Sequence, residues 1–368
     1  MTEGPTLQNA PTVGEIPLQR VGSKLYAEVT VGKKARRFVV DTGSPSMIDR
    51  ALAEELGLNV IGHSQGMDSH GAVIESEIVQ ASIELGGLTI RNVPCFVADF
   101  SASNAAKTFI GDGVLGSELL RLGVWQFDLN ALVLRFGKDL SHLPIAAEAK
   151  KLKLHNFGYP HMPILDVTFA RRATSKAMLD TGSPTFFAIS AADLEGTRKA
   201  KGIGRQIAGF GSAGASLGGQ AKAKDQLFVE LKSLRIGDIR LGRVPAVRRD
   251  PSPSLIGARM LENFIVTLDM PSGAAYFTKF GNTPYEHSTF GFTLAFDQGI
   301  SVATVWQPSA AHAQGLRAGT RIQTINGVPT QGSSAGIRQA MDAMAGRQLS
   351  ITWDGGSATL ERMTFFKR

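Results

Sequence analysis

The sequence predicts a mainly β fold made of two duplicated β lobes, followed by a third unit that combines strands with one helix. Three observations predict this fold. The 368 residues include 41 glycines and 20 phenylalanines, and short Val, Ile and Leu runs alternate with glycine-containing turns, which is typical of strands. A five-residue motif occurs twice with matching flanking sequence, which indicates duplication. After residue 281 the repeat ends and another pattern begins.

The repeated motif is Asp-Thr-Gly-Ser-Pro, which begins at Asp41 and again at Asp180, 139 residues later. Each copy follows a short apolar run, which predicts a buried strand. Each copy also precedes a segment with helix-like composition. We expect these helices over about residues 49–56 and 190–200, with Asp49 and Ser190 as N-caps.

The repeat extends well beyond this motif. Two apolar residues precede Gly116, 75 residues after Asp41, and two precede Gly257, 77 residues after Asp180. Beyond these glycines the copies align without gaps; the matched pairs are Asp128 with Asp269, Phe136 with Phe277, and Lys138 with Lys279. A register that stays constant over this length predicts two equivalent lobes, which we place at residues 18–145 and 146–281.

The third unit spans residues 285–366 and opens with Phe290-Gly291-Phe292. We expect an amphipathic helix over 334–345, because Ile337, Met341 and Met344 recur at helical spacing. The strands expected around this helix are 292–296, 300–305 and 349–353. The unit is therefore predicted to be of the α+β class.

Composition excludes several classes of protein. The single cysteine, Cys95, excludes an intrachain disulfide and a cysteine-based zinc cluster, and its apolar surroundings predict a packed core thiol. The net charge of +7 is spread over short basic pairs such as Arg36–Arg37, so we expect no nucleic-acid partner. No run of 18 apolar residues exists, so we expect no membrane span. Residues 1–17 have no apolar signal core, which leaves open a cytoplasmic protein or one whose signal was removed.

We expect neither a cofactor nor a metal. The sequence has no His-Glu-x-x-His helix, no Gly-x-Ser-x-Gly elbow and no P-loop. His63 and His70 lie in one glycine-rich stretch, but spacing supplies no third ligand. We interpret them as loop histidines.

The repeated residues resemble the aspartic proteases, both retropepsin-like and pepsin-like. In that family one Asp-Thr/Ser-Gly loop from each lobe meets at a pseudo-twofold axis, and an apolar-apolar-Gly segment passes behind each loop. Val114-Leu115-Gly116 and Leu255-Ile256-Gly257 match those segments, and the resemblance covers most of residues 18–280. It implies that Asp41 and Asp180 form a catalytic dyad that shares one proton and activates water against a peptide bond.

The resemblance also assigns supporting roles to the rest of each loop. The supporting residues are Thr42, Gly43 and Ser44 in the first loop, and Thr181, Gly182 and Ser183 in the second. The glycine amides would donate to the carboxylates, and the threonine hydroxyls would cross-link the loops through the opposite backbone. The serine hydroxyls would hydrogen-bond the outer carboxylate oxygens. Alternatively, all four hydroxyls are ordinary turn groups that satisfy local backbone.

Each lobe carries a glycine-rich stretch after its aspartate, at 62–71 and 209–219. The resemblance implies a β-hairpin flap at each stretch that covers the substrate and excludes water. The candidate flap residues are Gly66, Gly71, Gly211 and Gly214. Neither stretch has the tyrosine typical of pepsin-like flaps, and flexible surface hairpins without this role remain the alternative.

Residues 285–366 resemble a PDZ domain, especially the kind associated with bacterial proteases. The resemblance implies that Phe290, Gly291 and Phe292 form a loop whose amides hold the carboxylate of a C-terminal peptide. The peptide would add as a strand between 292–296 and the helix at 334–345. Alternatively, the domain packs on the protease and binds nothing.

Together these resemblances imply a single-chain aspartic endopeptidase that acts as a monomer on an extended polypeptide, with large apolar residues beside the cut. Bacterial retropepsin-like proteases with PDZ domains favour a periplasmic or cell-envelope location. A catalytically silent peptide-binding scaffold is the main alternative, although the presence of both aspartates and both threonines argues against it. A third hypothesis is a regulated state in which residues 1–17 or the PDZ domain block the cleft.

Overall fold

The computed structural model describes residues 4–170, 173–216, 219–297 and 299–367. Strands dominate these residues, which confirms the predicted mainly β class with an α+β unit at the end. None of the helices in these ranges is long and apolar enough to cross a membrane.

The N-terminal lobe contains strands β1 (Thr6–Asn9), β2 (Val13–Val21), β3 (Lys24–Val31), β4 (Lys34–Val40), β5 (Met47–Asp49), β6 (Val60–Met67), β7 (Val73–Leu85), β8 (Leu88–Ala98), β9 (Gly113–Leu115), β10 (Val124–Asp128) and β11 (Val133–Gly137). Its α-helices are α1 (Arg50–Glu55) and α2 (Asn104–Phe109). Its 3-10 helices are Phe100–Ala102, Ser117–Leu122 and Leu140–His142. Because β1 pairs with β8 and β2 begins before residue 18, the sheets of this lobe include residues ahead of the expected boundary.

The C-terminal lobe contains strands β12 (Lys150–His155), β13 (Ile164–Thr168), β14 (Thr174–Asp180), β15 (Phe187–Ser190), β16 (Ile203–Gly211), β17 (Ala215–Ser216), β18 (Gly219–Gln220), β19 (Lys224–Ile236), β20 (Ile239–Arg249), β21 (Ser254–Gly257), β22 (Phe264–Asp269) and β23 (Ala274–Lys279). It also contains helix α3 (Ala191–Lys199) and the 3-10 helix Ala258–Glu262.

The two expected helices after the motifs are present, but their N-caps differ. Ser190 Oγ accepts the amide of Asp193, as an N-cap should. Asp49 occupies the N-cap position of α1 without capping it, so this expectation was wrong. Its carboxylate accepts the Phe100 amide instead, because the 3-10 turn after β8 passes next to the end of β5.

The same crossed arrangement of strands occurs in both lobes. In the N-terminal lobe β9 runs parallel to β4 and antiparallel to β5. In the C-terminal lobe β21 runs parallel to β14 and antiparallel to β15. The strand that ends in each apolar-apolar-Gly segment therefore lies beside the strand that leads into each Asp-Thr-Gly motif.

A six-stranded sheet joins the lobes in the order β2-β11-β10-β22-β23-β12. At its centre Gln126 pairs with Thr267, which lies 141 residues later and is its equivalent in the second lobe. The Gln126 side chain donates a hydrogen bond to the Thr267 hydroxyl (3.0 Å). The approximate twofold axis therefore passes between these two residues. Phe136 and Phe277 lie at equivalent points and are 0% and 1% exposed.

The third unit contains strands β24 (His287–Thr289), β25 (Phe292–Ala295), β26 (Ser301–Gln307), β27 (Ile322–Ile325), β28 (Val328–Pro329), β29 (Gln348–Trp353), β30 (Gly356–Glu361) and β31 (Met363–Phe365). Its helices are α4 (Ala310–Ala313) and α5 (Ser334–Ala345), and α5 has the bounds expected from sequence. The unit has an apolar core of its own, separate from the core shared by the two lobes.

This third unit is joined to the C-terminal lobe by a continuous sheet. Strand β26 pairs antiparallel with β16, from Thr304 opposite Gly211 to Gln307 opposite Ala208. Beside this pairing Phe228 packs edge-on against Trp306 and Phe365, with ring centroids 5.6 and 5.7 Å apart. The unit is therefore packed against the lobe and not suspended on a linker.

The crossed arrangement of strands places Gly116 against the backbone of the first motif, so a substitution at Gly116 tests this arrangement. A Cβ at this position would lie 2.1 Å from the Ser46 amide nitrogen and 2.2 Å from the Pro45 carbonyl carbon. We expect Gly116→Ala to lower the free energy of unfolding by about 2 kcal/mol or more, because backbone atoms cannot give way to it. Urea denaturation measures this change.

Gly62→Ala is the matched control, because Gly62 lies on a strand of the same lobe and a Cβ there meets nothing within 4 Å. Equal stabilities of the two variants would contradict the close approach of β9 to the first motif.

Candidate active site

Asp41 and Asp180 meet at the interface between the lobes. Asp41 directly follows β4, and its amide donates to the Leu115 carbonyl oxygen of β9 (3.0 Å). Asp180 is the last residue of β14 and lies opposite Gly257 of β21. The two carboxyl groups are in hydrogen-bond contact with each other, and both side chains keep part of their surface exposed. The crossed arrangement of strands in the two lobes thus brings together two aspartates that are 139 residues apart in sequence.

Two buried threonines join the loops that carry these aspartates. The Thr42 hydroxyl donates to the Leu179 carbonyl oxygen (2.6 Å) and accepts the Thr181 amide (3.1 Å). Conversely, the Thr181 hydroxyl donates to the Val40 carbonyl oxygen (2.7 Å) and accepts the Thr42 amide (3.0 Å). Both side chains are at most 2% exposed. These four reciprocal bonds fix the two loops relative to each other.

The two motif glycines allow the carboxyl groups to approach across the interface. Each glycine amide donates to the aspartate of its own loop, Gly43 to Asp41 (2.9 Å) and Gly182 to Asp180 (2.8 Å). A Cβ on Gly43 would lie 2.5 Å from the Asp180 carboxyl carbon, and one on Gly182 would lie 2.1 Å from an Asp41 oxygen. Only glycine leaves room for the opposite carboxyl group.

The two motif serines do not bond the carboxylates through their hydroxyls, in contrast to the role implied by the resemblance. The Ser44 hydroxyl donates to the Pro45 carbonyl oxygen (3.1 Å), and the Ser183 hydroxyl pairs with the Thr185 hydroxyl (3.2 Å). Ser183 reaches Asp180 through its backbone amide instead (3.0 Å). The turns after the glycines direct these hydroxyls to local partners, as the turn alternative proposed.

The electrostatic environment favours a protonated Asp180. Burial between the lobes raises the pKa of Asp180 above its ordinary value, and the nearby charge of Asp41 raises it further. The Lys24 ammonium opposes this shift and lowers the pKa, and it also donates to the Gly182 carbonyl oxygen (2.9 Å). Two carboxyl groups this close favour a state in which one of them is protonated.

Glu118 is a fully buried carboxyl group directly behind the first loop. Both of its oxygens accept the amide of Ser46, at 3.1 Å each. Burial raises the pKa of Glu118 to about 7, although the bonds from Ser46 oppose the shift. Sequence reasoning missed Glu118, because only its place two residues after Gly116 connects it with the motif.

Each aspartate is flanked by a small apolar cluster that is separate from the main core. The N-terminal wall consists of Tyr26, Val39, Met47, Phe100 and Val114, and the C-terminal wall consists of Ile164, Met178, Ala188 and Leu255. Val39 precedes Asp41 by two residues, as Met178 precedes Asp180. Because side chains two apart on a strand share a face, both walls lie on the faces that carry the aspartates.

Both glycine-rich stretches form hairpins. Gly66 lies near the end of β6, which pairs with β7, and Gly71 adopts a positive φ of 86° in the turn between them. In the second hairpin Gly211 ends β16 and Gly214 follows it in the connecting segment, with positive φ angles of 143° and 122°. Residues 217 and 218 of the second stretch lie outside the described residues.

The tips of these hairpins meet. The Ser216 hydroxyl of the second hairpin donates to the Asp68 carboxylate of the first. Burial lowers the pKa of the half-buried His70 in the first turn; the charge of Asp68 opposes this shift, and the charges of Lys224 and Arg249 add to it. Arg249 in turn lies near enough to Asp180 for that charge to affect its own pKa. Sequence reasoning missed Arg249 and Lys24, because neither belongs to a motif.

The residues proposed for a carboxylate loop in the third unit lie at the start of β25. Phe290 and Phe292 are both 1% exposed, and Gly291 has a positive φ of 87°. The Gly291 amide donates to the Thr289 hydroxyl (3.1 Å) and is therefore not free for the peptide carboxylate, in contrast to the role that the resemblance implies. The Arg362 guanidinium lies over the Phe290 ring, 5.3 Å from its centroid, and places a cation beside this loop.

Within the described ranges, no three His, Cys, Asp or Glu side chains gather where they could hold a metal ion. His63 pairs with Glu77 across the first hairpin, and His70 lies in its turn. The thiol of Cys95 is buried in the N-terminal lobe, and burial raises its pKa.

Two family models match the chain. Residues 27–119 match the model described as aspartyl protease, and residues 282–351 match the model of the PDZ domain. No curated protein matches the chain. The first matched segment includes Asp41, whereas Asp180 lies outside it and is related to Asp41 by the repeated sequence and strand arrangement.

The reciprocal threonine bonds predict a stability change that depends on a hydroxyl group. Thr42→Val keeps the side-chain volume but leaves the Leu179 carbonyl and the Thr181 amide buried without these partners. We expect a loss of about 1–3 kcal/mol in the free energy of unfolding, measured by urea denaturation. Thr42→Ser retains the hydroxyl and should lose less; equal losses in both variants would contradict a bonding role.

Glu118 predicts a pH dependence of stability. Its pKa is about 7 in the folded protein against a reference value of 4.5, so the folded state holds a proton that the unfolded chain releases in this interval. This contribution is therefore present below about pH 4.5 and lost as the pH rises to about 7, a change of about 3 kcal/mol. Glu118→Gln should remove it.

The measurement is urea denaturation across this pH interval for wild type, Glu118→Gln and the exposed control Glu84→Gln. The control should keep the decline of the wild type. A Glu118→Gln variant with the full wild-type decline would contradict the buried, protonated state of this carboxyl group.

Proposed function

Since residues 27–119 are an aspartyl protease domain and residues 282–351 are a PDZ domain, we propose that the chain is an aspartic endopeptidase. Asp41 and Asp180 are its catalytic pair, and polypeptide is its substrate. One observation carries this proposal: two carboxyl groups, each held by the amide of its own loop, are in hydrogen-bond contact across the interface between the lobes.

The reaction follows from the shared proton. The charged carboxylate of the pair takes a proton from a water molecule, and the resulting hydroxide attacks the peptide carbonyl carbon. The protonated partner donates to the carbonyl oxygen and stabilises the negative charge that develops there. As in aspartic proteases generally, the pair titrates as a unit.

The walls beside the pair support an apolar preference around the cut. The N-terminal wall contains large side chains such as Tyr26, Met47 and Phe100, whereas the C-terminal wall has Ala188 and Met178. Burying an apolar side chain stabilises a complex by about 25 cal/mol per Å² of surface removed from water. We therefore propose an apolar substrate residue on each side of the cut.

The hairpins act as flaps in this proposal. Their tips meet through the hydrogen bond from Ser216 to Asp68. Closure over a substrate would exclude bulk water and strengthen the hydrogen bonds of the site. One chain supplies both loops and both flaps, so we propose an active monomer.

The catalytic pair is tested by substituting each aspartate with asparagine. We expect Asp41→Asn and Asp180→Asn each to lower cleavage of a denatured protein mixture at least about a hundredfold, because general acid–base catalysis is lost. Products are quantified by mass spectrometry from acid to neutral pH, with and without a pepstatin-like inhibitor.

Asp139→Asn is the matched control, since this carboxylate is exposed and bonds only its own turn and the neighbouring His142. It should cleave like wild type. Absence of products from wild type at every pH, or unchanged cleavage by both dyad variants, would reject the protease and favour a silent peptide-binding scaffold.

Lys24 predicts a shift of the pH profile. Its ammonium lowers the pKa of Asp180, so removing the charge in Lys24→Met should raise that pKa further. The pair would keep its shared proton to higher pH, so the basic limb of the pH profile of kcat/KM should move to higher pH.

Lys24→Arg keeps the cation and should retain the wild-type profile. The profile is measured with a chromogenic peptide taken from the cleavage sites found above. A basic limb that lies at the same pH or at lower pH in Lys24→Met would contradict the influence of this ammonium on the pair.

A further inference from the structure

The PDZ domain contacts both lobes of the protease unit. On one side its strand β26 extends the sheet of the second hairpin through β16. On the other side its helix α5 packs against helix α2 of the N-terminal lobe, and the Phe109 ring of α2 lies 5.6 Å from the Phe296 ring. The domain therefore bridges a flap of one lobe and a helix of the other.

Helix α2 belongs to the wall beside Asp41. Ala106 and the following Ile110 pack against the N-terminal wall. The Tyr26 hydroxyl, itself part of that wall, donates to the Phe109 carbonyl oxygen (2.8 Å). Phe109 belongs neither to the core shared by the lobes nor to the N-terminal wall, and its ring packs against Phe296 of the PDZ domain.

Strand β25 and helix α5 pack into the same apolar core and flank the groove that the PDZ match implies; Phe296 directly follows β25, at the end remote from Gly291. Within the described residues β25 pairs only with β26, so its other edge is open along this groove. A peptide that adds antiparallel to β25, with its C-terminus at the start of this strand beside the Arg362 cation, runs toward Phe296. At about 3.3 Å per residue, the peptide reaches the Phe109–Phe296 contact about four residues before its C-terminus.

We infer that a free polypeptide C-terminus bound in this groove competes with helix α2 when the peptide is longer than about four residues. A shorter peptide fits beside the contact, whereas a longer one separates Phe109 from Phe296. A long peptide bound in the groove then releases the PDZ domain from the N-terminal lobe. Helix α2, which packs against the wall beside Asp41, thereby loses its contact with the PDZ domain. By reciprocity, weakening the contact strengthens binding of long peptides only.

This inference extends the proposed protease, but its test does not depend on cleavage. All binding is measured by fluorescence anisotropy in full-length protein that carries Asp41→Asn, so that a probe cannot be hydrolysed. The probes are the tightest-binding decapeptide from an arrayed library of free C-terminal sequences and the tetrapeptide of its last four residues. The C-terminally amidated decapeptide reports whether the carboxylate is recognised.

Phe109→Ala should raise the affinity for the decapeptide about three- to tenfold, the range expected for loss of one aromatic pair. Its affinity for the tetrapeptide should equal that of the parent. Phe280→Ala, which removes a 39%-exposed phenylalanine elsewhere, should change neither affinity. A gain that is equal for both lengths, no gain, or no binding of any library peptide would overturn the inference.

Hydrogen exchange gives a second readout that needs no variant at Phe109. Saturating decapeptide should increase amide exchange over residues 104–110, whereas the tetrapeptide should leave exchange there unchanged. Unchanged exchange with both probes bound would also overturn competition. If neither the parent protein nor its Phe109→Ala variant binds the probes, the catalytic proposal still stands, because the aspartate variants test it separately.

Discussion

The site depends on the four hydrogen bonds that Thr42 and Thr181 exchange between the lobes. Two carboxyl groups brought this close repel each other when both are charged, so the surrounding structure must hold them together. The threonine bonds do so with buried backbone groups, whose separation would leave donors and acceptors without partners. The six-stranded sheet below supplies the rigid connection, with Gln126 and Thr267 paired at its centre.

Around this symmetric centre the lobes differ in ways that bear on function. Lys24 of the first lobe and Arg249 of the second both interact electrostatically with Asp180. The apolar wall beside Asp41 is larger than the wall beside Asp180. The third unit adds a further asymmetry, because it extends the sheet of the second hairpin, whereas in the first lobe it packs against helix α2. A duplicated scaffold thus carries a site whose two halves are chemically distinct.

Sequence reasoning recovered the features that leave a local or repeated signal. The resemblance to aspartic proteases implied that the segments ending at Gly116 and Gly257 pass behind the two loops, and helical spacing predicted α5 with its correct bounds. It could not predict contacts between segments distant in sequence, such as β16 with β26 or Phe109 with Phe296, because no single segment carries their signal. The serine hydroxyls were assigned wrongly for a related reason: their partners depend on the local turn and not on the motif.

The central claim is that two aspartates from separate lobes share one proton in a single folded chain. The most direct measurement is a pH titration of aspartate side-chain carboxyl carbons by ¹³C NMR, with Asp180 assigned by substitution. We expect Asp180 to titrate well above the ordinary range of aspartate and its pKa to fall in Asp41→Asn, since the neighbouring charge contributes to the shift. An Asp180 that titrates in the ordinary range, with no response to Asp41→Asn, would contradict this claim.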